Sequence, residues 1–444
     1  MRISIIGTGY VGLVSGACLA NCGHDVVCVD VDPAKVSRIN SAQAPIHEIG
    51  LPELLKKNVG TRLRATADLA TAVQNSDITL IAVGTPAVNG KIGLHFIERA
   101  ASEIGAALKL KAGYHVVVVK STVVPGTTDT VVRRELERAS GKRAGVDFGL
   151  GMNPEFLTEG TAVADFERPD RIVLGGMDTR SQDCLLELYA PFDAAAPRIR
   201  TNNGTAEMIK YASNCLLATM ISYSNEIGRL CSAIGGIDVA DVMRGVHASA
   251  YLTSRRDGQK PMVANLASFL EAGCGFGGSC LPKDVTALIA QGKDQGLDMS
   301  LLSAVLRINH SQPEEILKLA RKHRPSLQGA RVTVLGLAFK PDTDDIRESP
   351  AFPVLRLFRE QGAVLTAFDP IAKPVEHEAM RGVTLANSTL DAVRDAEIVV
   401  LVTRWDEFRQ LPQMFKNLNL SPLVIDGRRV LSPADFAVYE GIGR

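Results

Sequence analysis

Short apolar runs rich in β-branched residues alternate along the chain with longer segments of helical length. Ile3–Ile6, Asp25–Val29, Ile78–Val83, Val116–Lys120 and Arg171–Leu174 read as strands. Arg331–Leu335, Val364–Phe368, Ile398–Val402 and Leu423–Ile425 repeat the pattern towards the other end. Runs with almost no polar position are what parallel strands covered on both faces need. Helical segments between them supply the crossovers, so the pattern predicts βαβ units in doubly wound α/β sheets. From about Asn203 to Gly235 the period changes. Ala206 through Ile227 and Leu230 read as one long helix, with no Pro inside and no Gly before Gly228. A further helical region includes Val285–Gly296.

The two α/β stretches echo one another. Ile3-Ser4-Ile5-Ile6-Gly7 leads to Asp30 and then to Asp77–Ile81; Val332-Thr333-Val334-Leu335-Gly336 leads to Asp369 and then to Asp395–Val400. The spacings differ, so two related folds are expected rather than a solenoid repeat. The expected organisation is an α/β domain over residues 1–200, a mainly helical segment over 201–300 and a second α/β domain over 301–444.

Composition removes several classes of function. Lys plus Arg and Asp plus Glu each total 49, a balance that argues against a chain whose main task is coating nucleic acid. A hydrophobic share of 46 % against 22 % charged residues excludes dominant disorder. No apolar run reaches the roughly 18 residues of a membrane-spanning helix. The first strand begins at Ile3, so no cleavable signal peptide is expected. Eight cysteines in 444 residues are too sparse for a disulfide scaffold, and reduced thiols in a cytoplasmic protein are the expectation.

Chemistry enters at the first glycine turn. Gly7-Thr8-Gly9-Tyr10-Val11-Gly12 fits G-x-G-x-x-G directly after a predicted strand and before a predicted helix, Leu13–Asn21. That context turns a weak pattern into a dinucleotide site. Gly7 makes the tight turn, Gly9 lets backbone approach a pyrophosphate, and Gly12 lets helix and strand pack closely. Asp30 stands 18 residues after Gly12 at the end of the second strand. A carboxylate there accepts hydrogen bonds from ribose hydroxyls and repels a 2′-phosphate, so NAD is expected over NADP. Lys35 on the next helix either reaches the adenosine side or is simply solvated. Val83–Pro86 and Lys120–Gly126 each follow a predicted strand, at the sheet edge where ligands bind. Thr85, Ser121 and Thr122 are candidate contacts there, or else turn-forming hydroxyls.

The densest chemical signal is Gly273-Cys274-Gly275-Phe276-Gly277-Gly278-Ser279-Cys280-Leu281-Pro282-Lys283-Asp284. Backbone so rich in glycine must bend sharply or touch a ligand. Pro282 and Asp284 mark a helix start, which places Cys280 just before a helix N-terminus, where a thiol pKa falls from about 8.5. Lys283 adds to that effect and Asp284 opposes it; the alternative for Cys280 is an inert buried thiol. Cys18 and Cys22 lie one helical turn apart, but no His or Cys pair completes the set, so no metal site is expected. Cys28, Cys184, Cys215 and Cys231 lie in apolar contexts. A Cys274–Cys280 disulfide is disfavoured by a reducing compartment.

Lys210 and Asn214 share one face of the long helix, suited to an oxyanion or merely solvated. Asn153–Gly160, carrying Glu155 and Glu159, is a substrate loop or an ordinary helix start. Phe339–Pro350 is dense in charge and holds Lys340 and Arg347, both suited to phosphate or carboxylate. Gly336 is followed by Leu337-Ala338-Phe339, so a second dinucleotide site is less expected there than a site for another phosphorylated ligand.

Taken together, Gly7–Gly12, Val83–Pro86, Ser121–Gly126, Asn153–Gly160, Glu207–Asn214, Gly275–Asp284 and Gly336–Pro350 resemble the UDP-glucose/GDP-mannose dehydrogenase family over essentially the whole chain. The resemblance implies an NAD-binding Rossmann-like domain, a central helical dimerisation region and a Rossmann-like nucleotide-sugar domain. It implies a four-electron oxidation of a sugar C6 alcohol to a carboxylate with two NAD per turnover. Cys280 would attack the intermediate aldehyde, Lys210 and Asn214 would stabilise the oxyanion, and Asp284 would activate water or position Cys280. Thr122 and Glu159 would hold a water acting as base. The substrate loop would comprise Glu155, Phe156, Leu157, Thr158 and Glu159, with Glu155 between the two ligands. Phe269, Leu270, Glu271, Ala272 and Gly273, with Gly277, would cradle the sugar nucleotide. Lys340 would contact substrate; Lys283 and Arg347, with Tyr10 and Val11 of the first turn, would contact NAD.

For the substrate, Asp165–Val173 looks like the UDP-glucose branch, while Gly141–Gly149 and Gly278–Val285 look like the GDP-mannose branch. UDP-glucose is the first expectation, GDP-mannose the second, another UDP-hexose the third. The segment 247–267, with Tyr251-Leu252-Thr253-Ser254-Arg255-Arg256, departs from the short loop expected for UDP-glucose enzymes. Two other classes share part of the pattern: a two-electron hydroxyacid dehydrogenase, which needs no Cys280, and a non-catalytic NAD-binding protein.

Overall fold

The computed structural model describes residues 1–254, 260–374 and 376–444, so Arg255 and Arg256 lie outside the described residues. Two compact units, 1–213 and 214–444, make up the chain.

The sheet of the first unit contains β1 (Arg2–Ile6), β2 (Asp25–Val29), β3 (Leu63–Thr66) and β4 (Ile78–Ile81). It continues with β5 (Val116–Val119), β6 (Gly149–Met152), β7 (Ile172–Gly176) and β8 (Arg198–Thr201). The spatial order is β8-β7-β6-β5-β4-β1-β2-β3. Neighbours run parallel except β6 and β7. Alternate residues feed a core on each face: Val116 and Val118 on one side, Val117 and Val119 on the other. That is why these strands are apolar throughout. Chain order reverses between β1 and β4, so the loops after β1, β4, β5 and β6 open side by side at the carboxyl edge. Helix α1 (Tyr10–Asn21) starts inside the glycine motif, and α2 (Pro33–Asn40) starts after Asp32, whose side chain caps it.

The second unit repeats the plan with β9 (Arg331–Leu335), β10 (Val364–Phe368), β11 (Val383–Leu385), β12 (Ile398–Leu401), β13 (Leu423–Asp426) and β14 (Tyr439–Gly441). All neighbours are parallel, in the order β11-β10-β9-β12-β13-β14. The long helix α3 (Asn203–Ile234) begins in the first unit and continues in the second; α4 (Leu281–Asp294) and α5 (Ser300–His323) follow it. Among the described residues no helix is long and apolar enough to cross a membrane.

Strands β3, β6, β8, β11 and β14 escape the apolar pattern. β3, β8, β11 and β14 are edges, and β8 in particular has no fully buried residue. β6 carries two glycines in four residues, which give no hydrophobic signal.

Candidate active site

In the first unit, Asp30 turns back onto the glycine turn. Its Oδ2 accepts the Thr8 N–H at 2.9 Å and the Thr8 hydroxyl, and its Oδ1 accepts the Asp32 N–H at 3.0 Å. Burial alone would raise its pKa, but these bonds and Lys35 outweigh it and hold the carboxyl below its ordinary value. A carboxylate has about four lone-pair sites, so half-buried Asp30 keeps acceptor capacity for a ribose. A Cβ on Gly9 would meet nothing within 4 Å, whereas one on Gly12 would lie 2.0 Å from Gly7 O. The N-cap of α1 is Gly9, with no side chain bonded to the first-turn N–H groups. Open space over Gly9, uncapped N–H groups and an ionised acid together fit a dinucleotide.

Tyr10 and Glu48 join this turn to the Asn153–Gly160 loop. The Tyr10 hydroxyl donates to Glu48, and the Gly160 N–H reaches both Tyr10 Oη (2.9 Å) and Glu48 Oε2 (2.7 Å). The Ala162 N–H donates to Glu48 Oε1 at 2.8 Å. Val11 beside it is half-buried. Thr85 donates to Thr122 O at 2.9 Å, and Ser121 Oγ lies 2.7 Å from Val83 O. Both hydroxyls therefore tie the loops after β4 and β5, as turn-forming side chains do; the Thr122 side chain is half-buried.

Lys210 corrects the solvated-face reading. It is buried, with Nζ 3.0 Å from Glu155 Oε1, and Nζ stands 5.5 Å from the centre of the Phe156 ring. Burial would raise the Glu155 pKa, but the Lys210 ammonium and the Leu157 N–H (2.7 Å) keep it below the usual carboxylate value. Arg171 stacks on Phe156 at 3.7 Å. Thr158 is exposed, and Leu157 and Glu159 are half-buried in the same loop.

Two groups escaped the sequence reading. Lys120, closing the all-valine β5, is buried and donates to Asn153 Oδ1 (2.9 Å) and Tyr189 Oη (3.3 Å). Burial depresses its pKa to about 8. A lysine ending an all-valine run was the available signal. Glu207, on α3, is buried and accepts the N–H groups of Gly126 (2.6 Å) and Thr128 (2.8 Å), so it shapes the loop after β5. Burial pushes its pKa up to about 7. Nothing local distinguishes it from other helix glutamates.

In the second unit Cys280 is the N-cap of α4 and its side chain is exposed; the other seven cysteines are buried or half-buried, and none of the eight forms a disulfide. The inert buried reading therefore fails for this thiol. Ser279 Oγ lies 3.6 Å from Sγ, and the Asp284 N–H donates to Cys280 O at 2.8 Å. Asp284 is fully buried, one turn into the helix. Lys283 Nζ lies 2.6 Å from its Oδ1, and Asn214 Nδ2 donates to its Oδ2 at 2.6 Å. Lys283 and Asp284, opposed influences on the thiol by sequence, are thus partners of each other. Asn214 is buried as well, against a solvated face.

The Phe269–Gly273 run is held largely by the protein itself. Leu270 and Ala272 point into the core, and the Leu270 backbone is bonded to His247 Nε2 (3.0 Å) and to Ala267 O (2.9 Å). Phe269 is half-buried, Glu271 is ion-paired with Arg404, and Gly273 is held at both backbone groups by Asn225 and Gln312. Gly277 has a packing reason to lack a side chain: a Cβ would lie 2.2 Å from Glu348 O. In the loop so contacted, Arg347 forms a two-pronged pair with Asp345 (2.8 and 2.6 Å), and Lys340 is half-buried.

A doubly wound sheet with an open glycine turn, an ionised acid closing its second strand and, elsewhere in the chain, an exposed cysteine at a helix N-cap position define an NAD-dependent oxidoreductase. Comparison with known proteins narrows the class. The chain matches the NAD binding domain of the UDP-glucose/GDP-mannose dehydrogenase family over residues 1–193, its central domain over 204–311 and its UDP binding domain over 333–433. It belongs to that family and is a nucleotide-sugar dehydrogenase. A UDP-glucose 6-dehydrogenase of Haloferax volcanii is 43 % identical over 446 residues, the full length of both chains. A GDP-mannose 6-dehydrogenase of Pseudomonas savastanoi is 39 % identical over 457 residues, covering 98 % of this chain and 96 % of that one. The solved structure of a UDP-glucose dehydrogenase from Pyrobaculum islandicum superposes with a TM-score of 0.88 at 38 % identity, covering 99 % and 97 %.

Proposed function

We propose that the protein oxidises UDP-glucose at C6 to UDP-glucuronate through a covalent intermediate on Cys280. The observation that carries this is an exposed sulfur at the N-cap of α4, one turn from a buried carboxylate clamped by Lys283 and Asn214. NAD would be held by the Gly7–Gly12 turn and Asp30 and would accept one hydride per oxidation, so a second NAD would have to replace the first NADH before the second oxidation. A water held by Thr122 and Glu159 takes the alcohol proton. Cys280 adds to the aldehyde carbon, forming a carbon–sulfur bond and an oxyanion that Lys210 and Asn214 stabilise. The thiohemiacetal is oxidised to a thioester, and water cleaves it to release carboxylate and thiol. A bare aldehyde has no alkoxide to expel the second hydride until a nucleophile adds, which is why the thiol is needed. Asp284 positions Cys280 or activates the hydrolytic water.

UDP-glucose is favoured by the Haloferax and Pyrobaculum relatives, and GDP-mannose, the second reading, by the Pseudomonas one. Leu216, Tyr223 and Leu230, seven residues apart on α3 and each about half exposed, support a homodimer through the central helix. Cysteines without a disulfide support a cytoplasmic setting. A panel of nucleotide sugars with NADH readout tests the reading. Two NADH per sugar are expected, and one NADH rejects it. Cys280→Ala should lower acid formation by at least about 10³-fold while NAD still binds.

A further inference from the structure

Asn309, on the buried side of α5, grips the glycine-rich run with both ends of its amide. Oδ1 accepts the Phe276 N–H at 2.8 Å, and Nδ2 donates to Phe276 O at 3.0 Å. The side chain thus serves Phe276 as a neighbouring strand would, satisfying a buried donor and a buried acceptor together. The space is made by Gly275, whose Cβ would lie 2.8 Å from Asn309 Oδ1. Upstream, Gly273 is fixed by Asn225 and Gln312 at 2.8 and 2.7 Å. Downstream, the Gly278 N–H donates to Arg347 O at 2.9 Å.

Only Gly277, Gly278 and Ser279 separate Phe276 from Cys280. Glycines restrict a chain least, and the exposed Sγ inherits its place from the backbone on either side. One side is the first turn of α4. The other is Phe276. We infer that Asn309 is a positioning residue for Cys280, setting where the sulfur stands by clamping the Phe276 backbone. The inference rests on reading Cys280 as the nucleophile, and it assigns Asn309 no contact with substrate.

Asn309→Leu removes both bonds; Asn309→Asp keeps the acceptor and loses the donor. The expected result is a kcat lowered about 10–100-fold in Asn309→Leu and less in Asn309→Asp, since misplacement of a reacting group by about 1 Å costs up to 10²-fold. KM for both ligands should stay near that of the parent. Iodoacetamide should alkylate Cys280 at a changed rate, followed by the mass of its peptide. A merely structural role would lower the melting temperature and leave the rates of the folded protein alone. Parental kcat and alkylation rate in the folded variants would overturn the inference. Should Asn309→Leu not fold, Asn309→Asp decides, together with hydrogen exchange of the unaltered protein: the Phe276 amide is expected to be protected, and exchange at an open-chain rate overturns the clamp. Full acid formation by Cys280→Ser would instead sink the nucleophile reading, whatever Asn309 does.

Discussion

The two sheets share a strand order yet finish their first turns in opposite ways. In each, the first strand ends on a left-handed glycine, Gly7 at φ +100° or Gly336 at φ +93°. In each, that glycine's N–H donates to the carbonyl closing the second strand, Val29 or Phe368, at 2.8 Å. An aspartate comes next, Asp30 or Asp369. Asp30 is half-buried with three donors, and the turn beside it leads straight into α1. Asp369 is fully buried and saturated. Its Oδ2 accepts the N–H groups of Leu337 (2.8 Å) and Ala338 (3.0 Å) and the Trp405 indole (3.1 Å). Its Oδ1 accepts Ile371 and Ala372 at 2.9 and 2.8 Å. The second turn has spent its N–H groups on the protein's own carboxylate, and no helix begins until Ala351. One topology therefore builds an anion site or a sealed corner, depending on what the turn donors meet.

The contrast can be broken by exchanging the effects of the two acids. Asp369→Ala should cost the most, about 3–5 kcal/mol of stability, because five donors lose a buried charged acceptor. Denaturant unfolding measures this, and NAD affinity of the molecules that remain folded should be unchanged. Asp30→Ala should weigh the other way, raising KM for NAD about 10–100-fold through lost ribose contacts while costing less stability than Asp369→Ala, since it frees three donors at a half-buried acid rather than five at a fully buried one. Equal NAD losses in the two variants would erase the distinction.

A smaller effect sharpens it. Lys120 has its pKa depressed to about 8, from 10.5, by burial in the first unit. Between about pH 8 and 10.5 the unfolded chain keeps a proton that the folded chain has released, so this residue makes stability rise with pH across that window. Lys120→Met should flatten the rise, read as unfolding free energy against pH. An unchanged slope would place the effect elsewhere.

Strands covered on both faces were legible because each residue of Val116–Val119 or Ile398–Leu401 is apolar for its own local reason. Edge strands such as Arg198–Thr201 were not, since a strand paired on one side has little need of apolar residues. The Gly7–Gly12 turn and the place of Cys280 just before a helix were readable from spacing alone. Lys210, Asn214 and Leu270 were named, but which of them faced a partner, a clamp or the core was invisible in the string.

Local backbone chemistry, then, was set by the order of residues: where strands run, where a glycine turn opens, where a sulfur precedes a helix. Pairings came only with folding. Glu155 with Lys210, Lys120 with Asn153, and Asp369 with the donors of its own turn join positions far apart in the chain. A buried charge takes its state from whichever polar groups the fold brings within hydrogen-bond reach, and no sequence interval encodes that distance.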